Sequence, residues 1–447
     1  MSYASSRATE HARRPVEPAE EQDTFQLTTG TAGDHPAVHQ FLLAVFHQPS
    51  LGEFQAQLDE PSYEPNDRLL AKRSGHIVGH VRTVNREVLF GECILPVSTV
   101  CDLATLPEFR GRGCGSNLLE LAERRMLENG AVVGLLRTKA PQFYEKRGWA
   151  RCGGQRCSTA APRHILSRLS EVESQERSPL GIRPSHLHIR FWRHVEQAAL
   201  GRLYEEGTRG AFGPFVRSEA YWRWLISRRA YDRIYIAIEG SPKLDLDDTM
   251  HSVVGYAFSK EGRIVELMTA ERRSDAAWRL LARACGDAIE NDEHEIRLDA
   301  VPGHPLHQMI IASGGVNRCT EDESGHVSMV KLLNVERLIS LLKTQLHRRA
   351  VEGRLTIPGE LGLLIDGCRY VLEITRRSVK LSPGRFGRSY LECDTAELTQ
   401  LLLGNLGIEE AVATGKLTAS TRVALEAARV LLPQVPLWYP PLDDLPA

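Results

Sequence analysis

The segment from Val97 to Trp149 constrains the fold of this chain more than any other. Val97 to Leu106 is rich in β-branched and apolar side chains, which predicts a buried strand. Pro107 ends it, and Arg110-Gly111-Arg112-Gly113-Cys114-Gly115-Ser116 predicts a turn. From Asn117 the period becomes helical, with Leu118, Leu119, Leu121, Ala122 and Met126 on one apolar face. A strand, a glycine-rich turn and a helix start together form an anion site. The first-turn amides have no intrahelical acceptor, the dipole is positive there, and glycine allows close approach. Two common phosphate patterns fail on spacing. A P-loop needs Lys-Ser/Thr where this chain has Ser116-Asn117, and a dinucleotide fingerprint needs a third glycine where Ser116 stands. The remaining alternative to a binding site is a plain tight turn.

The pattern that fits is R-x-x-G-x-G, supplied by Arg110, Gly113 and Gly115. It resembles the acetyl-CoA-binding motif of the GNAT acyltransferase superfamily, where backbone amides cradle the pyrophosphate. Downstream, Ala131 to Arg137 predicts a second buried strand and Pro141 to Lys146 a short helix. Tyr144-Glu145-Lys146-Arg147-Gly148-Trp149 is similar to the tyrosine, x, x, x, glycine, aromatic signature of the same enzymes. By that resemblance Tyr144 is the general acid for the departing thiolate, and a phenol with an ordinary pKa of about 10 is protonated at neutral pH. The other reading of Tyr144 is an aromatic ring packed under the turn.

Length places this segment in a larger assembly. At 447 residues the chain exceeds one ordinary core, and about 150 residues per domain predicts three. A 42% hydrophobic and 25% charged composition is that of a soluble globular protein, read as cytoplasmic. A net charge of -2 argues against nucleic acid as partner, and no apolar run approaches a membrane span. Nine scattered cysteines include no C-x-x-C and read as free thiols. The His186, His188 and His194 group has strand geometry for a metal but no matching carboxylate or cysteine, so no metal is expected. His304 and His307 take the same packing reading.

Read in order, residues 1–23 form a polar tail, and residues 24–162 a first domain: strand, helix His35 to His47, strands Asp67 to Arg73 and His76 to Val84, then a connection, Glu87 to Pro96, into the central segment. Arg163 to Leu180 reads as a further connection. Residues 163–331 repeat the architecture without the site. Ala270-Glu271-Arg272-Arg273-Ser274-Asp275 replaces the glycine turn, and its acids oppose a phosphate. Residues 332–447 predict a helix, five strands beginning at Arg354 to Ile357, and a helix capped by Asp394 with Glu397. The fold class is therefore α/β (α+β): tandem GNAT folds with mixed, mostly antiparallel sheets, and a C-terminal domain resembling the sterol-carrier-protein fold.

That three-part order resembles the enhanced-intracellular-survival (Eis) family of acetyltransferases. The resemblance implies acetyl-CoA contacts at Leu103, Ala104 and Thr105, at Arg110, Gly111, Arg112, Gly113, Cys114, Gly115 and Ser116, and near Lys139 and Ala140. It implies a symmetric homo-oligomer. It also implies that the terminal carboxylate, here that of Ala447, serves as the base. This tail lacks the family's terminal aromatic residue, so Asp443 and Asp444 are alternatives. The expected reaction is N-acetylation of a primary amine on a small cationic molecule or a lysine side chain. The alternative is a non-catalytic acyl-CoA or lipid-binding sensor.

Overall fold

The computed structural model describes residues 25–153, 155–176, 187–240, 252–320 and 325–445. The predicted tail, His186 and Ala447 lie outside them. The first sheet is built from β1 (Gln26–Thr29), β2 (Arg68–Arg73), β3 (His76–Phe90), β4 (Cys93–Thr105), β5 (Val133–Thr138) and β6 (Ala150–Arg151). Helices α1 (His35–Phe46) and α2 (Leu51–Leu58) lie between β1 and β2, and α3 (Cys114–Glu128) and α4 (Pro141–Glu145) follow β4 and β5. The expected connection at Glu87 to Pro96 is instead a continuous hairpin around Gly91-Glu92. Val88, Phe90, Leu95 and Val97 alternate inward there and pack on the C-terminal domain, a period-2 pattern. The sequence reading also passed over α2, whose start is marked by a capping box of Ser50 and Glu53.

Two strands cross the boundaries drawn at 162/163 and 331/332. β7 (Gln155–Ala160) joins the second sheet, antiparallel to β13 (Ile296–Leu298) and β14 (Val316–Thr320). In return β15 (Val327–Leu332) inserts between β5 and β6, pairing from Val327↔Thr138 to Leu332↔Val133. Each strand fills a gap in the other sheet, so the two cores are interlocked. The expected connection after residue 163 is helix α5 (Pro162–Glu176). The second sheet also holds β8 (Leu187–Phe191), β10 (Arg233–Glu239), β11 (Val253–Lys260) and β12 (Arg263–Thr269). Helices α6 (Gln197–Thr208), α7 (Glu219–Ser227), α8 (Ser274–Glu290) and α9 (Pro305–Ala312) cover it. His304 caps α9 by accepting from the Leu306 amide, and His307 bonds Ser158 and the Ala300 carbonyl. Both are packing histidines.

The C-terminal domain packs α10 (Val335–Glu352) on a five-stranded sheet. Its strands are β16 (Gly359–Ile365), β17 (Cys368–Ile374), β18 (Val379–Pro383), β19 (Tyr390–Cys393) and β20 (Thr418–Ala419). Arg354 to Ile357 is a turn, not the first strand; β20 completes the five. The Asp394–Glu397 capping box opens α11 (Thr395–Leu402), and α12 (Ile408–Ala413) and α13 (Arg422–Leu431) follow.

The chain then returns to the first two domains. Trp438 donates its amide to the Phe212 carbonyl at 2.9 Å, on β9 (Phe212–Phe215), which itself pairs with β3. Gly213 permits this approach: its φ is +109°, and an added Cβ would lie 2.6 Å from the Trp438 oxygen. Trp438 and Leu442 bury beside Val265 and Met268 of β12. β12 and β13 pair only at Arg263↔Arg297 and Ile264↔Leu298 and then part. The opening is filled by the chain's own tail, with the Trp438 indole N–H on the Asp299 carbonyl.

Candidate active site

The corresponding opening in the first sheet is a cleft. β4 and β5 pair in parallel from Val97↔Val133 to Val100↔Leu136 and then separate. The divergence begins at a bulge opposite β3, where the register slips between His80 and Arg82 and Asp102 takes a φ of +54°. His80 fixes that bulge. It is fully buried and pulled down to about 4, by burial first and then by neighbouring Arg68. Arg68 has only donors, so His80 Nε2 accepts from it at 3.2 Å and Nδ1–H donates to the Asp102 carbonyl at 3.0 Å.

The bulge aims the end of β4 at the turn. Gly113, with φ +83°, precedes α3, which starts at Cys114, three residues before the position expected from periodicity. The free amides of the first turn are therefore those of Cys114, Gly115 and Ser116. Gly111 is also left-handed. Gly115 has an ordinary φ, and a Cβ there would meet nothing nearer than 3.6 Å. That empty space beside unsatisfied amides fits a phosphate group.

A cleft of about 1140 Å³ runs from this turn between β4 and β5 to the C-terminal tail. Its walls include Leu103, Ala104, Thr105, Arg110, Gly115, Lys139, Ala140 and Tyr144. Gly111, Arg112, Gly113, Cys114 and Ser116 belong to the turn without forming the wall. The Cys114 thiol points inward and is raised by burial, so its position contributes an amide. The Ser116 hydroxyl accepts from Arg147 at 2.5 Å, tying α3 to the end of α4. Arg110 Nε donates to the Thr105 carbonyl at 3.3 Å and closes the turn onto the strand.

Tyr144 stands edge-on to Phe143 and Trp149. Burial pushes its phenol up to about 12, with a hydrogen bond to Thr138 acting in the opposite direction. The far wall carries Asp443 and Asp444, on α14 (Pro441–Asp444). Asp443 is locked: Arg217 donates to it at 2.7 and 3.2 Å and the Tyr221 hydroxyl at 2.9 Å. Asp444 faces the cleft with its side chain 42% exposed, 3.5 Å from Arg137. Desolvation within the cleft raises the carboxyl, Arg137 opposing. Between them lie Glu60, Arg82, Arg86, Trp224 and Arg228, which the sequence reading did not single out. Trp224 and Arg228 come from the second domain, and no local pattern joins them to the turn.

The second domain shows what replaces the turn. The Arg273 guanidinium binds both Asp275 oxygens, at 2.9 and 3.0 Å, and Glu239 at 2.7 Å. Asp275 sits in the first turn of α8 and is lowered, chiefly by Arg273. The helix end is already neutralised by the chain's own carboxylate.

The splayed strands, the amide turn and the buried phenol define an acyl-transfer domain. Residues 26–152 match the family model of the acetyltransferase (GNAT) domain, a class of domain that uses acetyl-CoA as acyl donor. Solved structures resemble nearly the whole chain. A GCN5-related N-acetyltransferase from Anabaena variabilis aligns over 93% of this chain and 99% of its own, with TM-score 0.65 and 16% identity. One from Kribbella flavida covers 93% and 97%, with TM-score 0.67 and 15% identity. Eis1 from Mycobacterium abscessus covers 92% and 98%, with TM-score 0.60 and 15% identity. These likenesses establish a shared fold. No curated protein sequence matches the chain.

Proposed function

We propose that this chain transfers acetyl from acetyl-CoA directly to a primary amine, with Tyr144 and Asp444 on opposite sides of the reacting carbon. The observation that carries this reading is the convergence of the β4 bulge, the α3 amides and Tyr144 on one cleft closed by the tail. Leu103, Ala104 and Thr105 line the donor side, the amides of Cys114, Gly115 and Ser116 meet the phosphates, and Arg110 and Lys139 stand by as cations. The donor supplies an activated thioester. The amine nitrogen bonds the carbonyl carbon, the carbon–sulfur bond breaks, and the ammonium proton leaves through the base.

Tyr144 at about 12 is a much weaker acid than a thiol near 8.5, so full transfer to a free thiolate costs about 5 kcal/mol. Its role is to donate a hydrogen bond to the sulfur as charge develops, so that the sulfur leaves as a hydrogen-bonded thiolate while the amine proton goes to Asp444. Tyr144→Phe is expected to lower kcat about 100-fold or more while leaving the Kd for acetyl-CoA within about twofold. Unchanged kcat removes Tyr144 from the mechanism.

Asp444 acts as base when ionised, and Asp443 is too tightly paired to do so. The pH dependence follows from their opposite requirements. Activity needs Asp444 deprotonated, so its acid limb lies above the ordinary carboxylate range. Activity needs Tyr144 protonated, so its alkaline limb lies near 12, beyond ordinary assays. Asp444→Asn is expected to remove the acid limb from the kcat profile and lower kcat about 10-fold to 1000-fold. An acid limb that survives the substitution assigns it to another group, the Ala447 carboxylate first. The Eis-like grouping and the sterol-carrier-like C-terminal fold belong to the same proposal, supported by the element order and by the five-stranded sheet under α10; a homo-oligomer and a cytoplasmic setting rest on the resemblance alone.

A further inference from the structure

We infer that the acceptor is a monoamine on an apolar, aromatic-sized body and not a polycation; this rests on the acetyltransferase reading above. The argument is electrostatic. A polyamine or polyamino sugar is held by several carboxylates whose charge is not already balanced. Among the described residues, five carboxylates and six cationic side chains line the cleft; with Arg110 and Lys139 assigned to the donor phosphates, five carboxylates face four cations, an excess of one negative charge and not of several. The pairing is also local. Glu60 is buried and accepts from Arg86 at 2.9 Å, with Arg82 at 3.6 Å. Asp102 faces Arg82 at 3.6 Å, Asp443 faces Arg217, and Asp444 faces Arg137. Glu53 is taken up in the capping box of α2. One carboxylate, Asp444, both opens onto the cleft and is raised, which suits one ammonium that must lose a proton.

The acceptor wall also presents apolar side chains, set among Gln48, Gln57 and Arg228. Phe46, Pro49 and Ala56 come from the α1–α2 corner, Val84 from β3, and Trp224 and Leu445 from across the cleft. Phe46 is 44% exposed although it lines a cleft, so its ring presents an uncovered face to a ligand. The Trp224 indole N–H is spent on the Ala56 carbonyl at 2.7 Å. Trp224 thereby joins the two halves of the wall and adds apolar edge with no free donor, its ring lying under the Arg228 guanidinium at 4.5 Å. Apolar side chains around one open carboxylate, with the other carboxylates already held, suit an arylalkylamine or an amine of similar shape.

The test uses full-length protein saturated with coenzyme A, titrated calorimetrically with phenethylamine, tryptamine, spermidine and kanamycin, beside thiol release from acetyl-CoA. We expect the aryl amines to bind at least tenfold more tightly than spermidine. Phe46→Ser, a change at a half-exposed position, should weaken them about tenfold and leave spermidine unchanged. Arg86→Met, which uncovers Glu60, should raise the spermidine to phenethylamine affinity ratio about tenfold. Tighter binding of spermidine or kanamycin by wild type, or no binding of aryl amines, overturns the inference. Bound phenethylamine with no thiol release overturns the transfer reading and leaves the pocket assignment standing.

Discussion

Arg217→Met is expected to cost about 3–5 kcal/mol of stability and to expose the C-terminal segment to protease. The guanidinium donates to both Glu266 oxygens at 2.9 and 2.6 Å and to both Asp443 oxygens, and all three side chains are wholly inaccessible. Its Cζ lies 3.9 Å from the Tyr204 ring centroid and 4.7 Å from that of Trp222. One cation therefore serves two buried carboxylates, helped by hydroxyl donation from Tyr221 and Tyr256. Removing it strands both charges in a low-dielectric interior, the costliest way to break a buried network. The expected readouts are a lower urea midpoint and faster cleavage between residues 436 and 445. Acetyl-CoA binding should persist, since the amide turn belongs to the other sheet. An apolar triple replacement, Arg217→Met with Glu266→Leu and Asp443→Leu, should recover most of the lost stability. A urea midpoint unchanged by Arg217→Met overturns this account of the tail's seat.

This seat was beyond sequence reasoning, and the reason is physical. Arg217, Glu266 and Asp443 are 49 and 226 residues apart in their pairings, and a lone Arg or Glu has no period to betray its burial. The donor half was legible because its chemistry is local: Val97 to Ser116 runs strand, turn and helix in a single short stretch. The helix start was misplaced because Cys114 to Ser116 lack an apolar stripe, while the left-handed Gly113 marks the true N-terminus. The exchange of β7 and β15 was hidden for a different reason. Gln155–Ala160 and Val327–Leu332 read as strands in either sheet, and pairing partners are set by register and by which gap remains. Likewise Thr418–Ala419 is too short to carry alternation, whereas Arg354 to Ile357 has strand-like composition and forms a turn. The acceptor wall gathers α1, α2, β3, α7 and the tail, five segments joined only by folding.

Gly115→Asp is expected to abolish acetyl-CoA binding while leaving the fold intact or slightly firmer. In α8 the second helical position is Asp275, whose carboxylate, paired with Arg273, already answers the helix dipole. Gly115 is the second position of α3, so the substitution writes the second domain's solution into the first. Backbone strain does not enter, because Gly115 has an ordinary φ and its nearest neighbour to a Cβ is Thr105 Oγ1 at 3.6 Å. A first-turn aspartate favours the helix by about 0.3–1 kcal/mol. Against a phosphate the same charge is repulsive, by about 4 kcal/mol per pair of unit charges at 4 Å in a surface-like dielectric. Kd should therefore rise by about 1000-fold or more. Gly115→Ala, which fills the same space without charge, should raise it only about tenfold. Calorimetric titration of acetyl-CoA into both variants, with urea unfolding alongside, separates the two effects. Equal losses would assign the turn a steric role alone, and undiminished binding of Gly115→Asp would place the phosphates elsewhere. A large gap between the variants, with stability held or raised, identifies the charge at the start of α3 as the difference between a domain that binds the donor and one that has closed the same site with its own side chains.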